Sequence, residues 1–73
     1  MKYPKAFILN GDTYEFYKEI YKGCFEYRHY YLHNYTQEKR YFKKYIEKGN
    51  ILFELYQKHL KNEKIYNDII FID

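Results

Sequence analysis

Apolar residues occur along this chain in short groups, and the spacing within each group predicts its secondary structure. Residues 5–9, KAFIL, contain an apolar run from Ala6 to Leu9 and are typical of a short buried strand. The run ends at Asn10-Gly11, a dipeptide that favours a tight turn. Residues 69–72 are apolar throughout and predict a second buried strand. These two strands could pair with each other or flank a third.

Two longer segments share a pattern in which apolar residues recur at i, i+1, i+4 and i+5, which indicates an amphipathic helix. The first helix is predicted over 13–22, with Asp12 as its N-cap and Gly23 as the residue that ends it. The second is predicted over 36–48, with Thr36 as its N-cap. The apolar positions are Phe16, Tyr17, Ile20 and Tyr21 in the first helix and Tyr41, Phe42, Tyr45 and Ile46 in the second.

The segment that follows Gly49-Asn50 predicts a third helix over 51–60, although the alternation of its first apolar residues also allows a strand to start there. Residues 61–67 are mostly polar and predict a connector to the last strand.

Residues 24–33 are dense in aromatic side chains, which favours a strand over a helix. A hairpin that bends near Arg28-His29 is an alternative. A strand would place alternate residues on opposite faces. One face would carry Phe25, Tyr27, His29 and Tyr31, and the other Glu26, Arg28, Tyr30 and Leu32.

These elements predict a single α+β domain over residues 1–73, in which short strands combine with two or three amphipathic helices. The alternative is a mostly α-helical bundle in which residues 13–34 form one kinked helix. A chain of 73 residues buries only about 60% of the surface that its unfolded form exposes. Such a small core would gain from the formation of a homodimer.

Apolar segments long enough for a secretory signal or a membrane span are missing from the sequence, so we expect a cytoplasmic protein with no membrane contact. Cys24 is the single cysteine and excludes an internal disulfide, which suits a reducing compartment. Its simplest role is that of a small buried hydrophobic residue.

Candidate chemistry is sparse. His29 and His33 are four residues apart, but zinc needs three or four ligands, and neither His59 nor an acidic residue completes a metal-binding motif. Phosphate-binding, dinucleotide-binding and nucleophile motifs are also missing. We therefore expect no metal, no cofactor and no enzymatic activity.

The net charge of +3 comes from the middle of the chain, because residues 28–48 carry six cations and two acids. Four of these cations would share one face of the helix predicted over 36–48. The residues that we expect to contact a partner are Arg40, Lys43, Lys44 and Lys48 on that helix and Tyr27, Arg28, Tyr30 and His33 in the aromatic segment.

A basic, tyrosine-rich surface suits two classes of partner. Tyrosine and arginine are enriched at protein interfaces, so the first class is a protein with an acidic or nucleic-acid-binding surface. The second is a nucleic acid, whose phosphates the cations would neutralise while aromatic rings stack on its bases. We expect a protein partner, with nucleic acid as the alternative.

In its size, its composition and its lack of catalytic motifs, the chain resembles small accessory proteins of phages and other mobile elements. Residues 7–27, FILNGDTYEFYKEIYKGCFEY, are also similar to small strand–Gly-x-Thr-Tyr–helix–Gly–strand domains of phage proteins. The resemblance implies a protein that binds and blocks a host or anti-phage defence component. It implies a role for no individual residue.

Overall fold

The computed structural model describes residues 3–65 and 68–72, in which one helix packs on one side of an antiparallel sheet. The elements are β1 (Ala6–Leu9), β2 (Asp12–Tyr21), β3 (Cys24–Leu32), β4 (Lys39–Glu47), α1 (Ile51–Leu60) and β5 (Ile69–Ile72). The strands lie in the order β4-β3-β2-β1-β5, and every neighbouring pair is antiparallel. The last two residues of the predicted connector, 66 and 67, lie outside the described residues.

The turn between β1 and β2 is the one that the dipeptide Asn10-Gly11 predicts. Leu9 and Asp12 are paired, so the loop has two residues, and Asn10 and Gly11 have φ of 52° and 83°. Two successive left-handed residues match the twist of a two-residue hairpin, and Asn-Gly adopts them more readily than other pairs. This prediction is confirmed.

The helix predicted over 13–22 is wrong, because this segment is β2. Its threonine, tyrosines and phenylalanine suit a strand, and two β-bulges interrupt its pairing with β3, one between Phe16 and Lys18 and one between Glu19 and Tyr21. A bulge shifts the alternation of side chains by one residue, so Tyr17 and Lys18 both lie on the side of the sheet opposite Phe16. Gly23 does have the left-handed φ of 84° expected of it, but it lies in the β2–β3 turn.

The helix predicted over 36–48 is also wrong. Residues 39–47 are β4, which pairs with β3 without a bulge from Cys24–Glu47 to Leu32–Lys39. In this strand Phe42 and Ile46 face one side of the sheet, and Tyr41 and Tyr45 face the other. The predicted α+β domain with two or three helices is therefore wrong in its helix content, and so is the helical-bundle alternative, since the described residues contain a single helix.

The remaining elements agree with prediction. The third helix is α1, and the Asn50 side chain accepts a hydrogen bond from the Leu52 N–H at 2.9 Å as its N-cap. The strand over residues 24–33 is β3, and the two terminal strands pair along their whole length. β5 is buried on one side only, because Ile69 and Phe71 face the core while Ile70 is 62% exposed.

The core lies between α1 and the sheet. Phe53 of α1 packs against Phe25 of β3 with 5.4 Å between ring centroids, and Tyr56 packs against Phe71 of β5 at 5.2 Å. The helix therefore spans the sheet from β3 to β5 and covers one side of it. Cys24 is 3% exposed and free, in agreement with its predicted role as a small buried residue.

Tyr27 lies in this core with no exposed surface. Its hydroxyl donates a hydrogen bond to the carbonyl of Pro4 at 2.7 Å, which ties the N-terminal segment to the third strand. Burial raises the pKa of Tyr27 far above its ordinary value, and the neighbouring Tyr3 and Tyr56 raise it further.

The described residues contain no helix that is long and apolar enough to cross a membrane.

We expect Tyr27→Phe to lower the free energy of unfolding at neutral pH by about 1 kcal/mol, because the buried Pro4 carbonyl loses its donor. In a domain of this size that is a fall in melting temperature of about 4–8 °C. Tyr35→Phe is the matched control, since Tyr35 is 92% exposed and its hydroxyl faces solvent. An equal effect of both changes would contradict the role of the buried hydroxyl.

The raised pKa of Tyr27 also predicts a dependence on alkaline pH. The folded state keeps the Tyr27 hydroxyl protonated above pH 10, whereas the unfolded chain releases this proton near the ordinary pKa of about 10. The contribution of Tyr27 to stability is thus present below pH 10 and is lost as the pH rises above it. Urea unfolding between pH 8 and pH 11 should show a smaller alkaline loss for Tyr27→Phe than for the wild type.

Candidate functional site

The side of the sheet that α1 does not cover is called the open face here. Phe25 and Tyr27 of β3 contact the core, so the alternate residues Glu26, Arg28 and Tyr30 face the opposite side. This division of β3 into two faces is the one that its sequence predicts. The register then adds Tyr41 and Lys43 of β4 to the open face, because they pair with Tyr30 and Arg28.

Arg28 is held between two aromatic rings at the centre of this face. Its guanidinium carbon lies 3.4 Å from the centroid of the Tyr17 ring and 4.1 Å from that of Tyr41. Tyr17 reaches this position because it follows Phe16, which packs on the core, and neighbouring residues of a strand point to opposite sides. The bulge after Phe16 brings Lys18 to the same side as Tyr17. A guanidinium over two ring faces is stabilised by both of them.

The contacts continue on both sides of Arg28. The Lys18 Nζ lies 5.8 Å from the centroid of the Tyr17 ring, and the Lys39 Nζ lies 4.8 Å from the centroid of the Tyr30 ring. The ring centroids of Tyr41 and Tyr30 are 5.8 Å apart. The tyrosine–cation row, as we call it, consists of Lys18, Tyr17, Arg28, Tyr41, Tyr30 and Lys39 and crosses β2, β3 and β4.

Each of the three rings of this row has a cation of the chain over it. The Arg28 guanidinium lies over Tyr17 and Tyr41, and the Lys39 ammonium lies over Tyr30. The planes of the Tyr30 and Tyr41 rings are inclined to each other by 56°. Tyr17 is 48% and Tyr41 is 41% exposed.

Glu26 holds Arg28 in place from below. Its carboxylate accepts a hydrogen bond from the Arg28 Nε at 2.6 Å, and the exposed fractions of the two side chains are 3% for Glu26 and 14% for Arg28. Burial lowers the pKa of Arg28, but hydrogen bonding to Glu26 and Tyr30 outweighs it, and the pKa of the guanidinium is raised above its ordinary value. Arg28 is therefore a fixed, permanently charged group.

The structure separates the residues that the sequence places in one site. Arg28, Tyr30 and Lys43 share the open face, whereas Arg40 and Lys44 face the α1 side, because they pair with Tyr31 and Tyr27. Tyr27 is enclosed in the core and cannot reach a partner.

The other two predicted residues lie at opposite ends of the β3–β4 hairpin. His33 is in the turn between the strands, with its Nδ1 3.3 Å from the Thr36 hydroxyl. Lys48 follows β4 and donates its backbone N–H to the Gly23 carbonyl at 2.7 Å.

A second aromatic group lies on the α1 side of the same hairpin, beyond the reach of the helix. Tyr31 and Phe42 stack with 4.8 Å between their centroids, and Phe42 and His29 are almost parallel at 6.4 Å. Phe42 is 59% exposed. The hairpin thus carries exposed rings on both sides.

Five residues of the site were missed by sequence reasoning: Tyr17, Lys18, Glu26, Lys39 and Tyr41. A period-two interpretation of residues 39–47 would have found Lys39 and Tyr41, since both alternate with the apolar Phe42 and Ile46. Tyr17 was assigned to the apolar face of a helix, Lys18 depends on a bulge that has no clear sequence signal, and Glu26 depends on its buried position in the sheet.

The histidines do not converge. His29 lies with its Nδ1 3.0 Å from the Thr13 carbonyl, His33 is in the hairpin turn, and His59 is on α1 beside Phe71. Among residues 3–65 and 68–72, no three His, Cys, Asp or Glu side chains are grouped so that they could hold a metal ion.

Comparison with protein-family models, with curated proteins and with solved structures gives no match.

We expect Glu26→Gln to lower the melting temperature, because it removes the charged partner of Arg28 beneath two rings and leaves the guanidinium partly buried. The Arg28 Nε–H signal in a ¹H–¹⁵N spectrum should broaden or vanish as its exchange with solvent accelerates.

Glu38→Gln is the matched control, since Glu38 forms the same i, i+2 pair with Arg40 but in solvent, with 65% and 45% of the side chains exposed. Glu38→Gln should lower the free energy of unfolding by about 0.5 kcal/mol or less. An equal fall in melting temperature in the two variants would show that the Glu26–Arg28 ion pair contributes no more to stability than the exposed Glu38–Arg40 pair.

Proposed function

We propose that this protein is a small non-catalytic binding protein that inhibits or regulates a protein partner through the open face of β2, β3 and β4. The observation that carries the proposal is the tyrosine–cation row, in which Arg28 fixes Tyr17 and Tyr41 on either side of it. The resemblance to accessory proteins of phages is the basis for proposing inhibition rather than another consequence of binding.

The rigidity of the row supports tight binding. Ordering a side chain at an interface opposes association by about 0.5–1.5 kcal/mol. Tyr17 and Tyr41 are already held in the free protein by Arg28, which Glu26 holds in turn. Tyrosine and arginine are also the residues on which protein interfaces most often depend.

The cations over the rings favour a protein over a nucleic acid. Single-stranded nucleic acids bind such surfaces by stacking bases on exposed ring faces. In the row each ring already has a cation of the chain over it, which takes a position that a base would occupy.

The exposed lysines favour an acidic partner, although the open face also carries Glu15 and Glu47, which pair with Arg28 and Cys24. Lys18, Lys39 and Lys43 form no ion pair within the described residues, whereas the charge of Arg28 is balanced by Glu26. Lysines at the rim of an interface steer association with a surface of opposite charge.

The test is affinity capture of the partner by the purified protein, with and without nuclease, followed by a titration of the purified complex. We expect a nuclease-resistant complex of fixed stoichiometry, and we expect Tyr17→Ala to weaken it by about 30-fold, the loss of a residue that contributes about 2 kcal/mol. Tyr35→Ala is the control, because Tyr35 is equally aromatic but lies outside the row, in the hairpin turn.

Melting temperatures would establish that both variants are folded. A complex that nuclease dissolves, together with direct binding of oligonucleotides that weakens steeply with salt, would replace the proposal by nucleic-acid binding. Equal affinity of wild type and Tyr17→Ala for the partner would remove the row from the interface.

A further inference from the structure

β4 is an edge strand whose outward backbone groups can be identified. Lys48 donates its N–H to Gly23 at 2.7 Å and His33 donates its N–H to Glu38 at 2.9 Å, one at each end of the β3–β4 ladder. Hydrogen-bonded pairs alternate with unbonded pairs along an antiparallel ladder. The even-numbered residues of β4 therefore bond to β3, and Tyr41, Lys43 and Tyr45 direct their N–H and C=O groups away from the sheet.

Both sides of this edge carry cations. Lys39 and Lys43 lie on the open face, and Arg40 and Lys44 lie on the α1 side. A flat partner surface that covers one side of the sheet cannot meet all four cations. An extended segment that lies along β4 can, because its own side chains alternate between the same two sides.

Lysine on an edge strand also discourages unwanted pairing. A second copy of this chain that approached β4 with its own β4 would bring the cations of the two strands together, and like charges opposite each other destabilise strand pairing. An acidic strand would meet the same edge with complementary charge. The cations thus select against self-association and for one class of partner.

The opposite edge of the sheet differs. β5 is four residues long, has the sequence IIFI and carries no charged side chain. β4 is nine residues long and carries four cations and one acid, Glu47. Only β4 combines length, outward backbone groups and charge, so the cations there are not a general property of the edges of this sheet.

We propose that the β4 edge binds an extended acidic segment of the partner protein, which adds to the sheet as a sixth strand. This inference rests on the proposed function and specifies the partner's chemistry. Main-chain hydrogen bonds to Tyr41, Lys43 and Tyr45 supply affinity in such a complex, and side chains that alternate across the strand supply specificity. The acidic residues of the segment occur in adjacent pairs four residues apart, opposite Lys39 and Arg40 and opposite Lys43 and Lys44.

The probe is a synthetic peptide of nine residues with two such glutamate pairs separated by valine and threonine. An isomer of the same composition, with its glutamates at alternate positions, places all of its charge on one side of a strand. We expect the paired peptide to bind at least about tenfold more tightly than the isomer, the ratio that about 1.4 kcal/mol provides. Exchange of the Tyr41, Lys43 and Tyr45 amide protons with solvent should slow when it binds.

Two variants at one position separate backbone pairing from charge. Lys43→Pro removes the outward N–H together with the lysine charge, and proline is tolerated at such a position of an edge strand. Lys43→Gln removes the charge alone. Lys43→Pro should bind the paired peptide about tenfold more weakly than Lys43→Gln, at equal melting temperatures, because one hydrogen bond and its geometry are lost.

Equal binding of the two peptides, or equal affinity of Lys43→Pro and Lys43→Gln, would overturn the proposal and leave charge attraction alone. Tighter binding of a nine-nucleotide oligothymidylate than of the paired peptide would assign the edge to nucleic acid. In the purified partner complex, Tyr17→Ala could weaken the affinity while Lys43→Pro and Lys43→Gln bind equally well. That result would refute binding at the β4 edge and leave the proposed function standing. The peptide titration tests whether the β4 edge binds an acidic strand even if the partner complex does not form.

Discussion

The ten residues of α1 cover one side of the sheet, and the other side has to be stable in contact with water. Apolar side chains can pack between two layers, but on a single exposed layer they remain half in solvent. β2, β3 and β4 meet this constraint with aromatic rings, cations and one buried carboxylate. The tyrosine–cation row is therefore a substitute for a second covering layer as well as a candidate binding surface.

Glu26 and Arg28 are central to this arrangement. An ion pair taken out of water is seldom strongly stabilising, since the loss of hydration opposes the attraction between the charges. Here the guanidinium also lies against two rings, so its position is determined from three sides. The result is a surface whose aromatic residues are ordered before a partner arrives, which favours specific binding over general adhesion.

At the edge of the sheet, the β3–β4 hairpin places cations on both sides of β4. Because neighbouring residues of a strand point to opposite sides, a segment with cations in adjacent pairs becomes positive on both sides at once. On a helix the same four cations would have formed one basic stripe. The change of secondary structure thus alters the kind of partner that the charge can recognise, from a surface to an extended segment.

Much of the fold could be predicted from residues with a single conformational preference. Asn10-Gly11 gave the first turn, Asn50 the start of α1, and the aromatic density of residues 24–33 gave β3 with its two faces. The errors at 13–22 and 36–48 share one cause. Residues four apart lie on the same face of a helix and also on the same face of a strand, so a pattern of i, i+1, i+4 and i+5 suits both. The tyrosine-rich composition, which favours strands, was the better guide.

By itself, the sequence determined the order of most elements, the two faces of β3 and the concentration of positive charge in residues 28–48. These properties depend on the chain locally, through turn residues, alternation and composition. Only the tertiary structure decided that Tyr27 is enclosed while Tyr17 is exposed, and that Arg28 stands between Tyr17 and Tyr41. Those positions depend on strand register and on which side α1 covers, and both are set by contacts between residues far apart in the chain.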